Sequence, residues 1–541
     1  MAVGFSTRCI SKKDIPLIQT HYKRTDMKKI IWLLCGIIVN YAFLSSCSKT
    51  IKERTADLPA LSPAEPDADA GTWKTILLSA PDEMPLAVPA PVTAPDYRAE
   101  INEIKDWQAN ISAADKKMVE YWSAGGILRW NELMRELVAK HNLPPYQNED
   151  GSYPVPSAVN PLAYPQFPFA NPPYASRAYA YISAAQYDAL VAAWHYKQLY
   201  NRKAPYMVDS SLNVMVPKTT LPSYPSTEGV IIGVSVELFK LLFPGDQDYI
   251  QKKADEYKRA AIISGSAVRS DVDAGIALGK SVALKFVSRA RTDGTGGAVG
   301  NQTQWTKLET DAESLGETPW YSLELPKRPP MLPFFGKVKP FLFDSATAVS
   351  LRPGPPPSST SDIMKKETQQ VYDMIKKPTR ELTAIVNFWA DGVGTVTPPG
   401  HWNAIAAEDF IGKNFSEVRW ARNFALLNMT MMDAAIVCWD TKYYYFNPRP
   451  TQMNPSIKTL TGIPNFPSYI SGHATFSGGA AILLGHILPE RAAAYLAMAK
   501  EASMSRFYGG IHYPTDCEVG FDVGKNIGAK AIERAVTDGA E

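Results

Sequence analysis

Apolar residues recur at three- and four-residue intervals along most of this chain, and alternating apolar–polar runs are few. The pattern predicts helices near 114–141, 178–200, 228–243, 248–264, 271–290, 361–391, 416–445, 473–486, 490–505 and 517–535. Two of these open on good caps, Ser112 before AADKKMVEYW and Ser416 before EVRWARNFALL, where a hydroxyl can accept from a free N–H of the first turn. The stretch 291–360 breaks the pattern with GTGGAVG, KRPPMLPFFG and RPGPPPSS, residues that favour turns and extended chain. The expected architecture is all-α: a helical half over 101–290, a Pro/Gly-rich connection over 291–360, and a second helical half over 361–541. A connection of that length inside a compact protein usually serves a function, and this one is expected to wall a pocket entrance. No period of 20 to 50 residues recurs.

The amino terminus breaks the helical pattern in another way. From Met27 the chain reads MKKIIWLLCGIIVNYAFLSSCSKT: two lysines, an apolar stretch of roughly seventeen residues, then Leu44-Ser45-Ser46-Cys47. This resembles a bacterial lipoprotein signal over 27–47, with Cys47 as the acylated first residue of the mature protein. A simple membrane anchor is the competing reading, against which stand the shortness of the stretch and its interruption by Asn40. Residues 1–26 are expected to precede the true start of translation. After Cys47 the run SKTIKERTADLPALSPAEPDADA is polar, proline-bearing and aperiodic, so 48–100 is expected to be a flexible tether. Serine after the cysteine, with no acidic run behind it, points to the outer membrane of the bacterial cell envelope, facing the periplasm.

Composition removes several classes. The 541 residues are 45% hydrophobic and 20% charged, which describes a core-forming protein. A net charge of +2, from 56 basic against 54 acidic residues, gives no field to recruit nucleic acid. Five cysteines are too few for a disulfide scaffold and lack zinc-site spacing. Cys438 and Cys517 each flank a polar motif; burial is the default reading, and a bridge between them stays open.

Those polar motifs carry the candidate chemistry. Within 75 residues stand Lys442 and Arg449 in KYYYFNPRP, Ser471-Gly472-His473 in YISGHATFSG, and Ser505-Arg506, His512 and Asp516 in SRFYGGIHYPTD. A tetrahedral oxyanion needs fixed positive charge; two forked guanidiniums bridge adjacent oxygens and a lysine adds a point charge. Ser471 offers a hydroxyl, and Gly472 a backbone N–H that can come close where a side chain would clash. Of the two imidazoles, one can attack or bind the central atom and the other can move protons at an apical oxygen. Asp516, four residues after His512, is placed to hold the other ring nitrogen.

In this order and spacing, the set resembles the superfamily of type 2 phosphatidic acid phosphatases and vanadium-dependent haloperoxidases, whose members share one anion pocket. FPSYISGHATFSGGA, with Phe466 five residues before the serine and Ala474 after the histidine, is similar to the haloperoxidase form. So are Trp439, three residues before Lys442, and the run FWADGVGTVTPPGHWN (Phe388 to Asn403). The resemblance implies helical bundles of that type. It implies His512 as the vanadate ligand, or as the nucleophile that becomes phosphohistidine in a phosphatase, and His473 as the acid–base group. Lys442, Arg449, Arg506, Ser471 and Gly472 would hold equatorial oxygens. Phe466 and Trp439 become candidate substrate-side residues, and Asp391 a candidate partner of Arg506. His401 in PPGHWN reads as a loop residue more readily than as one at the substrate mouth. The usual proline before Ser-Gly-His is Ile470 here. The expected activity is vanadate-dependent oxidation of halide by hydrogen peroxide, with halogenation of an organic acceptor. The alternative is hydrolysis of a phosphate ester without a metal, and a minor alternative is a lipoprotein that binds ligands without catalysis.

Overall fold

A computed structural model describes residues 58–143, 149, 171–323 and 327–541. The leading segment 1–26, the signal over 27–47 and its Cys47 lie outside the described residues. Residues 58–541 fall in one compact unit, and no strand occurs among the described residues.

Eighteen helices are labelled here in chain order: α1 (Pro95–Ala109), α2 (Ala113–Ser123), α3 (Gly126–His141), α4 (Pro172–Tyr200), α5 (Pro205–Val208), α6 (Thr227–Leu242), α7 (Gln247–Ile263), α8 (Arg269–Thr292), α9 (Gln302–Ser314), α10 (Ser345–Ser350), α11 (Asp362–Lys376), α12 (Arg380–Phe388), α13 (Thr397–Ile411), α14 (Glu417–Tyr445), α15 (Pro450–Met453), α16 (Gly472–Ile487), α17 (Ala492–Tyr508) and α18 (Pro514–Ala535). The caps expected at Ser112 and Ser416 accept from Asp115 and Arg419 N–H groups respectively. Two long predicted helices are each broken once. Gly125, at φ 127°, separates α2 from α3 in a conformation that side chains rarely adopt. Pro378, which cannot donate to the helical ladder, falls between α11 and α12.

α4 and α14, 29 residues each, pack against one another at the centre. Both are buried on nearly every face, as central helices must be. They are also counterparts in an internal duplication. Every helix from α4 to α8 is followed 245 residues later by a partner from α14 to α18, and the matched starts run from Pro172 and Glu417 to Arg269 and Pro514. The fastenings repeat as well. Arg177 forks onto Asp293 and the Ala290 carbonyl, and Arg422 onto Asp538 and the Ala535 carbonyl. Lys197 Nζ donates to the Pro222 carbonyl at 2.8 Å, and Lys442 Nζ to that of Pro467 at 2.8 Å. Asp188 accepts from the N–H groups of Ile76, Leu77 and Leu78, while Asp433 accepts from those of Phe341 and Leu342.

That last pair explains where two expectations fail. The tether expected over 48–100 is, from Leu58 onward, part of the packed body. Trp73 and Leu78 are buried, Asp67 pairs with Arg419, and Asp188 holds three consecutive amides. The connection expected over 291–360 carries α9 and α10, and its extended part is tied down by Asp433 and by an Arg352–Asp440 bridge. Both segments bury apolar side chains at irregular spacing, so neither shows a helical period.

Candidate active site

The residues of the three motifs meet at helix ends of the second half. Lys442 lies in the last turn of α14, Arg449 caps α15, Ser471 caps α16, Arg506 lies in the last turn of α17, and His512 and Asp516 flank the start of α18. Lys442, Arg449 and Arg506 are essentially inaccessible. Lys442 Nζ donates to the Pro467 and Ser468 carbonyls, each at 2.8 Å. Arg449 donates to the carbonyls of Phe466 (3.0 Å) and Ile511 (2.6 Å), and its Nη1 stands 3.3 Å from His512 Nε2. Arg506 donates to Ser505 Oγ and the Val386 carbonyl.

The state of His512 follows from its neighbours. Nδ1 lies 2.9 Å from Asp516 Oδ2, which also accepts from Ser468 Oγ at 2.5 Å and from the Tyr513 N–H. With Nδ1–H donating to that carboxylate, Nε2 is left as a lone pair facing Arg449. Burial holds the imidazole well below its ordinary pKa, reinforced by Arg449 and Lys442, so the ring stays neutral. Burial also lowers the Lys442 ammonium, and brings both arginines down to about 10. The same burial raises Asp516 against its hydrogen bond from Ser468.

The second imidazole, His473, occupies the first turn of α16 and keeps 18% of its side chain exposed. Burial and Arg506 lower its pKa to about 4, against the opposing pull of Asp391 and the Trp389 backbone. Its Nε2 stands 3.6 Å from Asp391 Oδ2, too far for a hydrogen bond, and both atoms lack a partner. Asp391 makes no direct ion pair with Arg506, although its charge acts on that guanidinium. Its Oδ1 bonds His401 Nδ1 at 2.9 Å, and its Oδ2 faces His473. Burial alone would raise Asp391, but the two imidazoles outweigh it and the carboxyl stays below the usual range.

Other expectations change on the same evidence. Trp439 is fully buried and its indole N–H holds the Met331 carbonyl at 3.1 Å, so it backs the site and has no face for substrate. Phe466 sits in front of it, ring centroids 4.9 Å apart, with Lys442 Nζ and the Arg449 guanidinium each 5.0 Å from its own centroid. The 329–331 segment packs on this side through Asn465, which donates to the Pro329 carbonyl at 2.7 Å. Gly472 is not required by the protein's own packing, since an added Cβ would meet nothing nearer than 3.8 Å. Its N–H begins α16, whose positive end opens here. Cys438 and Cys517 are both free and buried, so no bridge joins them.

The residue that sequence reasoning undervalued is His401. Its ring stacks on Trp389 (4.6 Å, 28°) while its Nδ1 holds Asp391, which adopts φ 45°. It thus clamps the 389–391 segment that frames His473. The signal was present in PPGHWN, but only the fold shows what the ring holds.

Three buried cations against two carboxylates, around two neutral imidazoles with an orphaned nitrogen and oxygen, make an environment that a multiply charged anion would complete. Fold and site together define an all-helical protein with buried cations and imidazoles gathered at helix ends. Residues 423–531 match the model of the PAP2 superfamily. Among solved structures it is similar to a bacterial vanadium-dependent iodoperoxidase at 26% identity and a TM-score of 0.52, over 67% of this chain and 91% of that one. A bacterial vanadium-dependent chloroperoxidase also aligns, at 13% identity in both forms. Its apo form gives a TM-score of 0.47 over 67% of this chain and 94% of that one. Its holo form gives 0.48 over 72% and 96%. No curated protein matches the sequence.

Proposed function

We propose that this protein is a vanadium-dependent haloperoxidase, with iodide as the first halide to test. The observation that carries the reading is the surplus of buried positive charge around the lone pair of His512 Nε2; the likeness to an iodoperoxidase selects oxidation among the chemistries such a cage permits. The donor set fits orthovanadate. His512 would ligate it, Lys442, Arg449 and Arg506 would bind its oxygens, and Ser471 with the Gly472 N–H would complete the cradle. When bound, vanadate supplies Lewis-acid activation of hydrogen peroxide toward halide. The chain's own work is to neutralise charge, keep His512 in one tautomer through Asp516, and move protons at His473 Nε2, which is free to accept them. Phe466 and the 329–331 segment exclude water from one side. Phosphate-ester hydrolysis is the second reading, favoured by the PAP2 match. There His512 would attack phosphorus, and His473 would protonate the leaving oxygen.

One preparation assayed two ways separates them. Iodide oxidation by peroxide that requires added orthovanadate supports the first reading. Hydrolysis of a phosphate monoester that orthovanadate inhibits supports the second and overturns the first. We place the enzyme on the periplasmic face of the outer membrane, lipid-anchored at Cys47; the support is the sequence signal alone.

Two further results are expected. Binding of orthovanadate should raise the apoprotein's Tm, with about 2.7 kcal/mol of stabilisation at a hundredfold excess over Kd. Its affinity should weaken with rising pH already below 10.5, the ordinary lysine value, because burial makes Lys442 lose its proton early. Lys442→Arg, which stays charged, should flatten that slope; calorimetry across pH with both proteins cancels the ligand's own titration.

His401→Phe keeps the stack on Trp389 and removes the bond to Asp391, and kcat should fall roughly 10–100-fold with little change in orthovanadate Kd. Steady-state kinetics beside calorimetry test this. An unchanged kcat would remove His401 from the machinery.

A further inference from the structure

The duplication gives the oxyanion site a counterpart in the first half, and that counterpart is a cavity. Displacement by 245 residues matches Lys442 with Lys197, Ser468 with Ser223, Ser471 with Ser226 and Asp516 with Asp271. The frame is retained in detail. Ser226 N donates to the Asp271 carbonyl at 3.0 Å, as Ser471 N does to that of Asp516 at 3.0 Å, and Ser226 caps α6 as Ser471 caps α16. The anion-binding groups are gone. Arg449 corresponds to Ala204, Arg506 to Ala261, His512 to Ala267 and His473 to Glu228.

Those four positions and Lys197 all line one cavity of about 440 Å³, which Glu417 also lines. Its size suits a small organic ligand. It lies at the opposite end of α14 from Lys442, and Glu417 to Lys442 is about 38 Å at 1.5 Å rise per residue. Its walls are the alanines and an aromatic pair, Trp122 stacked on Tyr257 at 4.3 Å and 11°, with the Trp122 indole N–H unpartnered.

The charge has been inverted along with the shape. Of the three matched cation positions only Lys197 keeps its charge, and an imidazole has become a carboxylate. Lys197 donates to the Pro222 carbonyl and feels Glu228 and Asp271, while Asp271 itself pairs with Arg202 at 3.1 Å. Glu228 accepts from Ser226 Oγ at 2.7 Å and Ser266 Oγ at 3.5 Å. Glu417 accepts from the Gly126 and Ile127 N–H groups, and burial pushes its carboxyl up to about 7, so a nearby cation would draw its proton off. The lining therefore carries two acids against one base, and an oxyanion would find neither fork nor ligand there.

We propose that this cavity is a second binding site, for a small organic amine, with its ammonium on Glu228 and its apolar body against the alanines and the Trp122–Tyr257 pair. The site occupies, in one copy of a duplicated fold, the place that the cationic cage takes in the other, and it is independent of the chemistry at His512.

Titration calorimetry on the full-length protein tests it with 2-phenylethylamine, 2-phenylethanol and 3-phenylpropionate, which share a ring and differ in charge. The amine should bind at least about tenfold more tightly than the other two, and Glu228→Gln should weaken it by about tenfold or more. Orthovanadate titrated into the same variant should bind as to the parent. Ala261→Leu, which fills the volume that Arg506 takes in the other half, should abolish amine binding with the Tm retained. Equal or tighter binding of the carboxylate, indifference to either substitution, or no amine binding up to about 10 mM would overturn the proposal. Loss of both halide oxidation and ester hydrolysis in the parent would overturn only the reading of the second-half site.

Discussion

His512→Gln is expected to abolish turnover, with kcat at least about a thousandfold below the parent in whichever assay the parent passes. The argument rests on the isolation of one lone pair. Asp516 accepts the hydrogen bond from Nδ1–H, burial and two neighbouring cations keep the ring from a second proton, and Nε2 is left directed at Arg449. No other neutral nucleophile among the described residues occupies that place, since His473 is directed at Asp391. Glutamine keeps volume and hydrogen bonding but supplies no comparable nucleophile. Circular dichroism should match the parent while orthovanadate affinity collapses. A His512→Gln protein that still oxidised halide at a tenth of the parental rate would remove the residue from its assigned role.

How much of this could be read from the chain differs between its two halves. The second-half site was legible because its residues are chemically conspicuous and closely spaced. Lysine, two arginines and two histidines in fixed order have few structural explanations when taken together, and the fold brings them to one place. Asp391 was misassigned because a carboxylate's partner depends on loop geometry, and only the turn at φ 45° aims it at His401 and His473. The duplication was missed for the opposite reason. Its copies share inconspicuous residues, Trp194 with Trp439, Asp188 with Asp433, LPSYPS with FPSYIS, at a displacement far beyond the periods that mark repeat proteins. The residues that attract attention in one copy are alanines in the other. The packed 58–94 segment escaped because its anchors are backbone amides on Asp188, which leave no pattern in the sequence.

The duplication also sharpens the expectation for Arg449. Arg449→Met should lower kcat/KM by about 10²–10³-fold, the cost of losing one oriented donor to developing charge in a dry site. A buried arginine that donates to the Phe466 and Ile511 carbonyls could instead be a structural strut, in which case the same loss would reflect misfolding. The first half argues against that, because Ala204 stands at the matching position and the surrounding frame persists around it. Thermal unfolding of Arg449→Met should therefore stay close to the parent while orthovanadate affinity falls in step with activity. Arg449→Lys separates charge from geometry. An ammonium keeps the charge but cannot fork between Nε and Nη1 toward two carbonyls and an oxyanion at once, so it should recover only a small part of the loss. Parental kinetics in the lysine variant would show that charge alone suffices and that the forked geometry described here is not what binds the anion.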